Sequence, residues 1–319
     1  MKREEQMSLA GAPFERFAKP TKRAAFLQEM DSIVPWQRLC ELIEPHYPTG
    51  EGGRPPIPLE RMLRIHFLQQ WFDLSDPGVE EAIYESVSMR SFAQIDLGSA
   101  PVPDETTILK FRHLLERHHL GVAILREVNA HLVASGIKLS RGTIVDATII
   151  HAPSSTKNRS GKRDPEMHQT MKGNEWYFGM KAHIGVDSSS RIVHSFVATP
   201  ANVHDSRVIG DLLHGNETRV WGDSAYRGRT AEIRAKAPCA ADFTQRHSSR
   251  SKLVTDQERA ANRTKSRVRS RVEHVFHVLK RIFGFEKVRY RGIAKNANRL
   301  VVNFALANLY LSRRRLLRA

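Results

Sequence analysis

The chain has 319 residues, 40% of them apolar, which is enough for one large or two ordinary domains. Two cysteines exclude a disulfide framework. The polar N-terminus and the lack of about 18 consecutive apolar residues predict a soluble, cytoplasmic protein without signal peptide or membrane span. The net charge is +16, and the whole excess lies in residues 246–319, which hold 20 basic residues and four acids. Because this segment also has helical periodicity, it favours a polyanionic partner over a disordered basic tail.

The N-terminal part of the chain is predicted to be all-α. Apolar residues recur with a helical period on both sides of a Pro- and Gly-rich loop at residues 46–56. Asp104 is predicted to cap a helix over residues 105–117. We therefore predict a helical segment over residues 1–45 and a second helical domain over residues 46–136. Its short helices form either a helix-turn-helix DNA-binding unit or plain scaffolding.

The pattern changes at Arg141, where short β-branched runs begin to alternate with helical stretches. This alternation predicts a mixed α/β domain over residues 141–319, built on a five-stranded sheet. The predicted strands cover residues 143–150, 177–186, 191–198, 218–224 and 239–243, and the predicted helices cover residues 205–213, 230–236, 257–283 and 294–317.

Two aspartates are singled out by their places in predicted strands. Asp146 lies inside an otherwise apolar strand, and burial of an unpaired carboxylate is costly unless a cation, a metal ion or hydrogen bonds hold it. Asp223 lies at the C-terminal end of the fourth strand, next to small residues, which suits a site at the edge of a sheet. The alternatives are backbone hydrogen bonds for Asp146 and a turn or helix-cap role for Asp223. Asp205 lies at an apparent helix start and is assigned a turn or capping role.

The third acid, Glu273, is isolated within a strongly basic predicted helix. At about 100° per residue, Arg269, Glu273, His277 and Lys280 fall on one stripe of that helix, and its apolar residues fall on the other side. The alternative is an ordinary surface ion pair between Arg269 and Glu273.

Three carboxylates on two strands and a helix predict a site for a hard cation, since oxygen ligands select Mg²⁺ or Mn²⁺. Two such ions can stabilise the attacking and leaving oxygens of a phosphoryl displacement. The sequence contains no GxxxxGK[ST] loop, so we expect no nucleotide cofactor.

Taken in chain order, five motifs of this sequence resemble those of bacterial insertion-sequence transposases of the DDE type, above all insertion-sequence family five. The resemblance extends over nearly the whole chain, and its motifs are specific when they occur together. They are Gly53–His66, Gly142–Ile150, Tyr177–Asp187, Trp221–Tyr226 and the Arg269-x3-Glu273-x6-Lys280 spacing.

The resemblance implies an RNase H-like catalytic domain in which Asp146, Asp223 and Glu273 are the catalytic metal ligands, with Mg²⁺ as the cofactor and Mn²⁺ as a substitute. It implies cleavage at the ends of an insertion sequence, followed by joining of the 3′ ends to target DNA by two-metal-ion catalysis. Arg269 and Lys280 would then contact DNA near the scissile phosphate. The expected partners are the terminal inverted repeats and target DNA. A homodimer on DNA is expected, because two ends must be paired.

Further DNA contacts are expected from basic residues of the 152–175 loop, the second strand and the segment 246–271, with solvated charge as the alternative. A non-catalytic DNA-binding regulator and an RNase H-like nuclease remain the competing functions. The additional candidate DNA-binding residues are Lys157, Arg159, Lys162, Arg163, Lys172, Lys181, Arg267 and Arg271.

Overall fold

The computed structural model describes residues 19, 21–50, 55–159, 161–245 and 255–318. Parts of four sequence features therefore lie outside the described residues. They are residues 1–18 and 20 of the N-terminal segment, residues 51–54 of the first loop and of the Gly53–His66 motif, residue 160 of the second loop, and residues 246–254 of the basic segment.

Helices make up the N-terminal half of the described chain, as the periodicity predicts. Several of their starts have a clear local cause. Asp104 Oδ1 accepts a hydrogen bond from the Thr107 N–H at 2.7 Å, which confirms the predicted cap. The hydroxyls of Ser75 and Ser86 cap two further helices in the same way. The helices are α1 (Lys22–Ile33), α2 (Trp36–Ile43), α3 (Leu59–Trp71), α4 (Asp76–Glu85), α5 (Val87–Phe92), α6 (Glu105–Arg117) and α7 (Leu120–Ala134), with a 3-10 turn at Glu44–His46.

The second half of the described chain is built on a mixed sheet. Its strand order is β2–β3–β1–β5–β6, and β4 pairs with the same edge of β3 as β2. Strand β1 is antiparallel to β3 and parallel to β5, which is in turn parallel to β6. The strands are β1 (Gly142–His151), β2 (His168–Lys172), β3 (Glu175–Asp187), β4 (Val193–Pro200), β5 (Arg219–Trp221) and β6 (Ala241–Asp242).

The predicted five-stranded sheet is wrong in its number of strands, because the described residues contain six. The additional strand is β2, which lies within the segment predicted to be a loop at residues 152–175. Its residues are mostly exposed, so the sequence lacks the apolar alternation by which strands are predicted. A two-residue turn joins β2 to β3 and allows them to pair. Gly173 in this turn has a φ of +64°, and Lys172 pairs with Glu175 across the hairpin.

The predicted helix over residues 257–283 is a continuous helical segment whose winding changes along its length. A tightened 3-10 turn directly precedes Glu273, and a widened π turn follows His277. The segment consists of α9 (Asp256–Arg269), the 3-10 turn Ser270–Val272, α10 (Glu273–His277) and the π turn Val278–Ile282. The other helical elements are two 3-10 helices, Asp205–Leu212 and Ser224–Tyr226, then α8 (Thr230–Lys236) and α11 (Ile293–Leu316).

Helix α11 packs against both halves of the described chain. Leu306 and Leu309 belong to the apolar core formed by α1–α7, and Phe304 belongs to the core beneath the sheet. The buried Asn308 adds polar links, because it accepts from the Val193 N–H at 2.9 Å and donates to Asn129 at 2.7 Å. None of the described helices combines the length and apolarity needed to cross a bilayer.

Leu306→Ala is expected to lower the free energy of unfolding by about 2–5 kcal/mol, because a fully buried leucine leaves a cavity between α11 and the N-terminal helices. Urea denaturation of the full chain measures this change. Lys295→Ala on the exposed side of the same helix is the control and should stay within about 0.5 kcal/mol. Equal effects of the two substitutions would contradict the packing role of α11.

Candidate active site

A cleft of about 790 Å³ lies beside the sheet and contains all three acids singled out in the sequence. Strand β1 contributes Asp146, the turn after β5 contributes Asp223, and the helical segment contributes Glu273. The four residues of the predicted stripe, from Arg269 to Lys280, all line the same cleft. The remaining lining residues are Ala147, Thr148, Ile149, Thr170, Met171, Lys172, Lys181, Asp205, Phe276 and Arg281.

Asp146 is the most buried of the three acids, with 8% of its surface exposed. Its Oδ1 accepts from the Ala147 N–H at 2.8 Å, and its Oδ2 accepts from Arg269 Nη1 at 2.9 Å. Burial raises the pKa of Asp146 to about 6, and the charges of Asp223 and Glu273 act in the same direction. The Ala147 amide and the Arg269 guanidinium oppose this rise. In this structure, both a cation and a backbone hydrogen bond therefore stabilise the carboxylate.

The other two acids are held differently. Asp223 Oδ1 accepts from the Ala225 N–H at 2.9 Å, so this residue caps the 3-10 helix Ser224–Tyr226 and lines the cleft at the same time. Glu273 has a side chain that is 62% exposed, and its Oε1 lies 4.0 Å from Arg269 Nη1. Arg269 thus stands between the buried and the exposed carboxylate, and contacts the buried one much more closely.

Cations line the other parts of the cleft. Lys280 Nζ donates to the Ile149 carbonyl at 2.8 Å, which ties the helical segment to β1. The pKa of Lys280 is lowered by burial and, secondarily, by the charge of Lys172. Lys172 is exposed at the end of β2 and also faces the cleft. The cleft therefore combines carboxylates with cations that can hold an anionic substrate.

A fourth carboxylate, Asp205, lies in the same cleft and is missed by the sequence interpretation, which gives it a turn or capping role. Lys181 Nζ donates to Asp205 Oδ1 at 2.8 Å and to the Val203 carbonyl at 2.9 Å. The buried hydroxyl of Tyr226 has no hydrogen-bond partner among the described residues, and its pKa is raised by burial and by the charges of Asp205, Asp146 and Asp223. The sequence signal is that Asp205 follows β4 by five residues, because β4 runs in the same direction as β1 and β5 and acids beyond the carboxyl ends of such strands lie at one edge of a sheet.

The remaining predicted DNA-binding residues do not line this cleft. Lys162 and Arg163 border a smaller one of about 180 Å³ together with Arg289 and Arg291. Lys157 and Arg159 are exposed in the loop before β2, and Arg267 is exposed on α9. Arg271 donates to the Ser188 carbonyl, so it has a partner within the fold.

Two charge-removing substitutions are expected to shift the pKa of Asp146 in opposite directions in the metal-free protein. Glu273→Gln should lower it, because it removes a negative charge, and Arg269→Gln should raise it, because it removes the paired guanidinium. Carboxyl ¹³C NMR of Asp-labelled protein measures both shifts, with Glu232→Gln as an exposed control on α8. Shifts of the same sign, or a wild-type Asp146 that titrates near 3.8, would contradict this electrostatic description.

Known protein families match both the N-terminal and the C-terminal part of the chain. The family described as Transposase DDE domain matches residues 137–309, more than half of the chain. The family described as Transposase domain (DUF772) matches residues 15–114. No solved structure matches the chain. The first match implies an RNase H-like fold and a DNA-cleaving enzyme with DNA as its partner, consistent with the mixed sheet and the helical N-terminal region. The chain therefore belongs to the DDE transposase family.

Proposed function

We propose that the protein is a Mg²⁺-dependent transposase of insertion-sequence family five. It would cleave phosphodiesters at the ends of its own element and join the freed 3′ ends to target DNA. The observation that carries the proposal is the gathering of Asp146, Asp223 and Glu273 in one cleft with several cations. These acids come from a central strand, a strand end and a helix that are far apart in sequence.

The donors in the cleft fit a hard divalent cation. They are carboxylate oxygens, which suit Mg²⁺ and Mn²⁺ better than the softer transition metals. Burial and two neighbouring acids drive Asp146 toward its neutral form, and a divalent cation would favour the charged form again. In our proposal Asp146, Asp223 and Glu273 hold the ions, and Asp205 lies close enough to the site to influence them.

The cations of the cleft are proposed to hold the DNA strand. Lys280 is fixed by the Ile149 carbonyl, so its ammonium group has a defined place beside β1. Arg269 is held by Asp146 in the metal-free protein and becomes available to a phosphate when a metal ion takes over the neutralisation of that carboxylate. When bound, the divalent ions stabilise the attacking and leaving oxygens of the phosphodiester displacement.

Binding of whole element ends requires a larger surface than the cleft. We propose that Lys162, Arg163 and the exposed cations of the 152–175 loop extend the DNA contact beyond the catalytic cleft. The helical domain at residues 46–136 is proposed to recognise the terminal repeats. Two protomers would pair the two ends, and the protein would act in the cytoplasm at the nucleoid.

Asp146→Asn and Glu273→Gln are each expected to lower cleavage of DNA carrying the element's ends by at least about 100-fold, because each removes a metal ligand. DNA binding should persist or strengthen, because a negative charge is lost. Strand cleavage on gels and binding by fluorescence anisotropy measure the two effects. Asp256→Asn, at a highly exposed acid of the same helical segment, is the matched control and should cleave like the wild type.

The same assay separates the competing functions. Wild-type protein that binds the ends but never cleaves them with Mg²⁺ or Mn²⁺ would indicate a regulator. Cleavage that is never followed by joining of a 3′ end to a second duplex would indicate a nuclease. Normal cleavage by both acid variants would overturn the assignment of the ligands.

Lys172→Ala is expected to weaken DNA binding and to reduce the slope of log K against log salt concentration by about one, because one phosphate contact is lost. The side chain is exposed at the end of β2, so the fold should be unaffected. Anisotropy titrations at several salt concentrations measure the slope. Lys138→Ala, at an exposed lysine before β1, is the control, and an identical slope for the two variants would exclude the Lys172 contact.

A further inference from the structure

A second cluster of metal-ligating side chains lies outside the carboxylate cleft. It consists of His194 on β4 and of His214 and Glu217 in the turn that leads into β5. One ligand atom from each residue lies within 4.8 Å of the other two. None of the three residues lines the carboxylate cleft.

The Glu217 carboxylate is fully buried and is held mainly by hydrogen bonds. Its oxygens accept from the N–H groups of His214 at 2.7 Å and Gly215 at 2.8 Å, and Thr143 Oγ1 donates at 3.1 Å. No lysine or arginine in the described part of the chain forms an ion pair with it. The charged contact it does have is His214 Nε2 at 3.3 Å. A buried carboxylate of this kind is normally paired with a cation or bound to a metal.

We propose that His194, His214 and Glu217 form a zinc site. Two imidazoles and one carboxylate are a common zinc ligand set that leaves a fourth position for water. With ligands at about 2.0–2.1 Å, neighbouring donors of a tetrahedral site lie about 3.4 Å apart. The 3.3 Å between His214 Nε2 and Glu217 Oε1 already matches this separation.

The hydrogen bonds around the cluster are compatible with metal binding after a small proton rearrangement. A zinc-bound histidine coordinates through an unprotonated ring nitrogen, so each ring can keep only the proton on its other nitrogen. If His194 Nε2 binds the ion, it gives up its 3.1 Å hydrogen bond with Thr143 Oγ1, and its ring proton belongs on Nδ1, where Ser195 Oγ lies at 2.9 Å and can accept it. His214 must give up the 3.1 Å contact between its Nδ1 and the Asn216 N–H, an exposed amide that water can satisfy.

The cluster lies outside the carboxylate cleft but on the same strands. Glu217 precedes β5 by two residues and Asp223 follows it by two, and Thr143, which donates to Glu217, precedes Asp146 by three residues, about 10 Å along β1. A metal ion held here would join β4 to the chain entering β5, and would thereby fix the strand that presents Asp223. The side chain of His214 is 35% exposed, which gives an ion access from solvent.

A competition titration of the full chain with a chromophoric zinc indicator tests the proposal. Excess Mg²⁺ is present to occupy the oxygen ligands of the cleft. The wild type should bind one Zn²⁺, and His214→Gln should bind it more than about 100-fold more weakly, since loss of an outer-shell partner alone costs about 10- to 100-fold. Because His214 is partly exposed, this variant should fold, and circular dichroism checks that it does.

His113→Gln, at an exposed histidine of α6, is the matched control and should bind zinc like the wild type. Co²⁺ in place of zinc should give the strong visible absorption of a tetrahedral site in the wild type and lose it in His214→Gln. Absence of zinc binding by the wild type, or equal binding by His214→Gln, would overturn the proposal. So would binding that is lost in Asp146→Asn and retained in His214→Gln, because the ion would then lie in the cleft.

Discussion

The candidate active site depends on how the Asp146 carboxylate is stabilised inside an apolar strand. Burial raises the pKa of this group to about 6, and Arg269 Nη1 at 2.9 Å opposes the rise. The guanidinium belongs to the helical segment that also carries Glu273 one turn later. The same contact that neutralises Asp146 therefore brings a second carboxylate to the cleft. Loss of Arg269 would leave the buried Asp146 carboxylate without its cationic partner, which is costly. The strand and the helical segment therefore constrain each other.

The rest of the fold holds these two elements in place. Strand β1 pairs with β3 through Asp146 and beyond, and with β5 at residues 142–144, so the strand that carries Asp146 is held from both sides. The Lys280 ammonium binds the Ile149 carbonyl and fixes the far end of the helical segment against β1. Helix α11 packs against both the sheet core and the N-terminal helices, so the helical region and the sheet are parts of one packed structure.

The sequence predicted those features that depend on local patterns. The Asp104 cap and the stripe from Arg269 to Lys280 follow from side-chain chemistry and helical geometry, which need no knowledge of the tertiary fold. The exposed hairpin strand β2 was missed, because its residues show no apolar alternation. Asp205 was given a turn role, since only the pairing of β3 with β4 brings Lys181 next to it. The cluster of His194, His214 and Glu217 joins two chain segments that are brought together only by the tertiary fold, so no local sequence pattern predicts it.

We propose that Asp146, Asp223 and Glu273 together bind the divalent cations that the protein needs to cleave DNA. The most direct test is anomalous diffraction from crystals of the full-length protein grown with Mn²⁺, which locates the ion without reference to activity. We expect a manganese peak in the cleft within coordination distance of Asp146 and at least one of the other two acids. Well-ordered crystals in which manganese is bound elsewhere, with Asp146 still paired to Arg269, would contradict it.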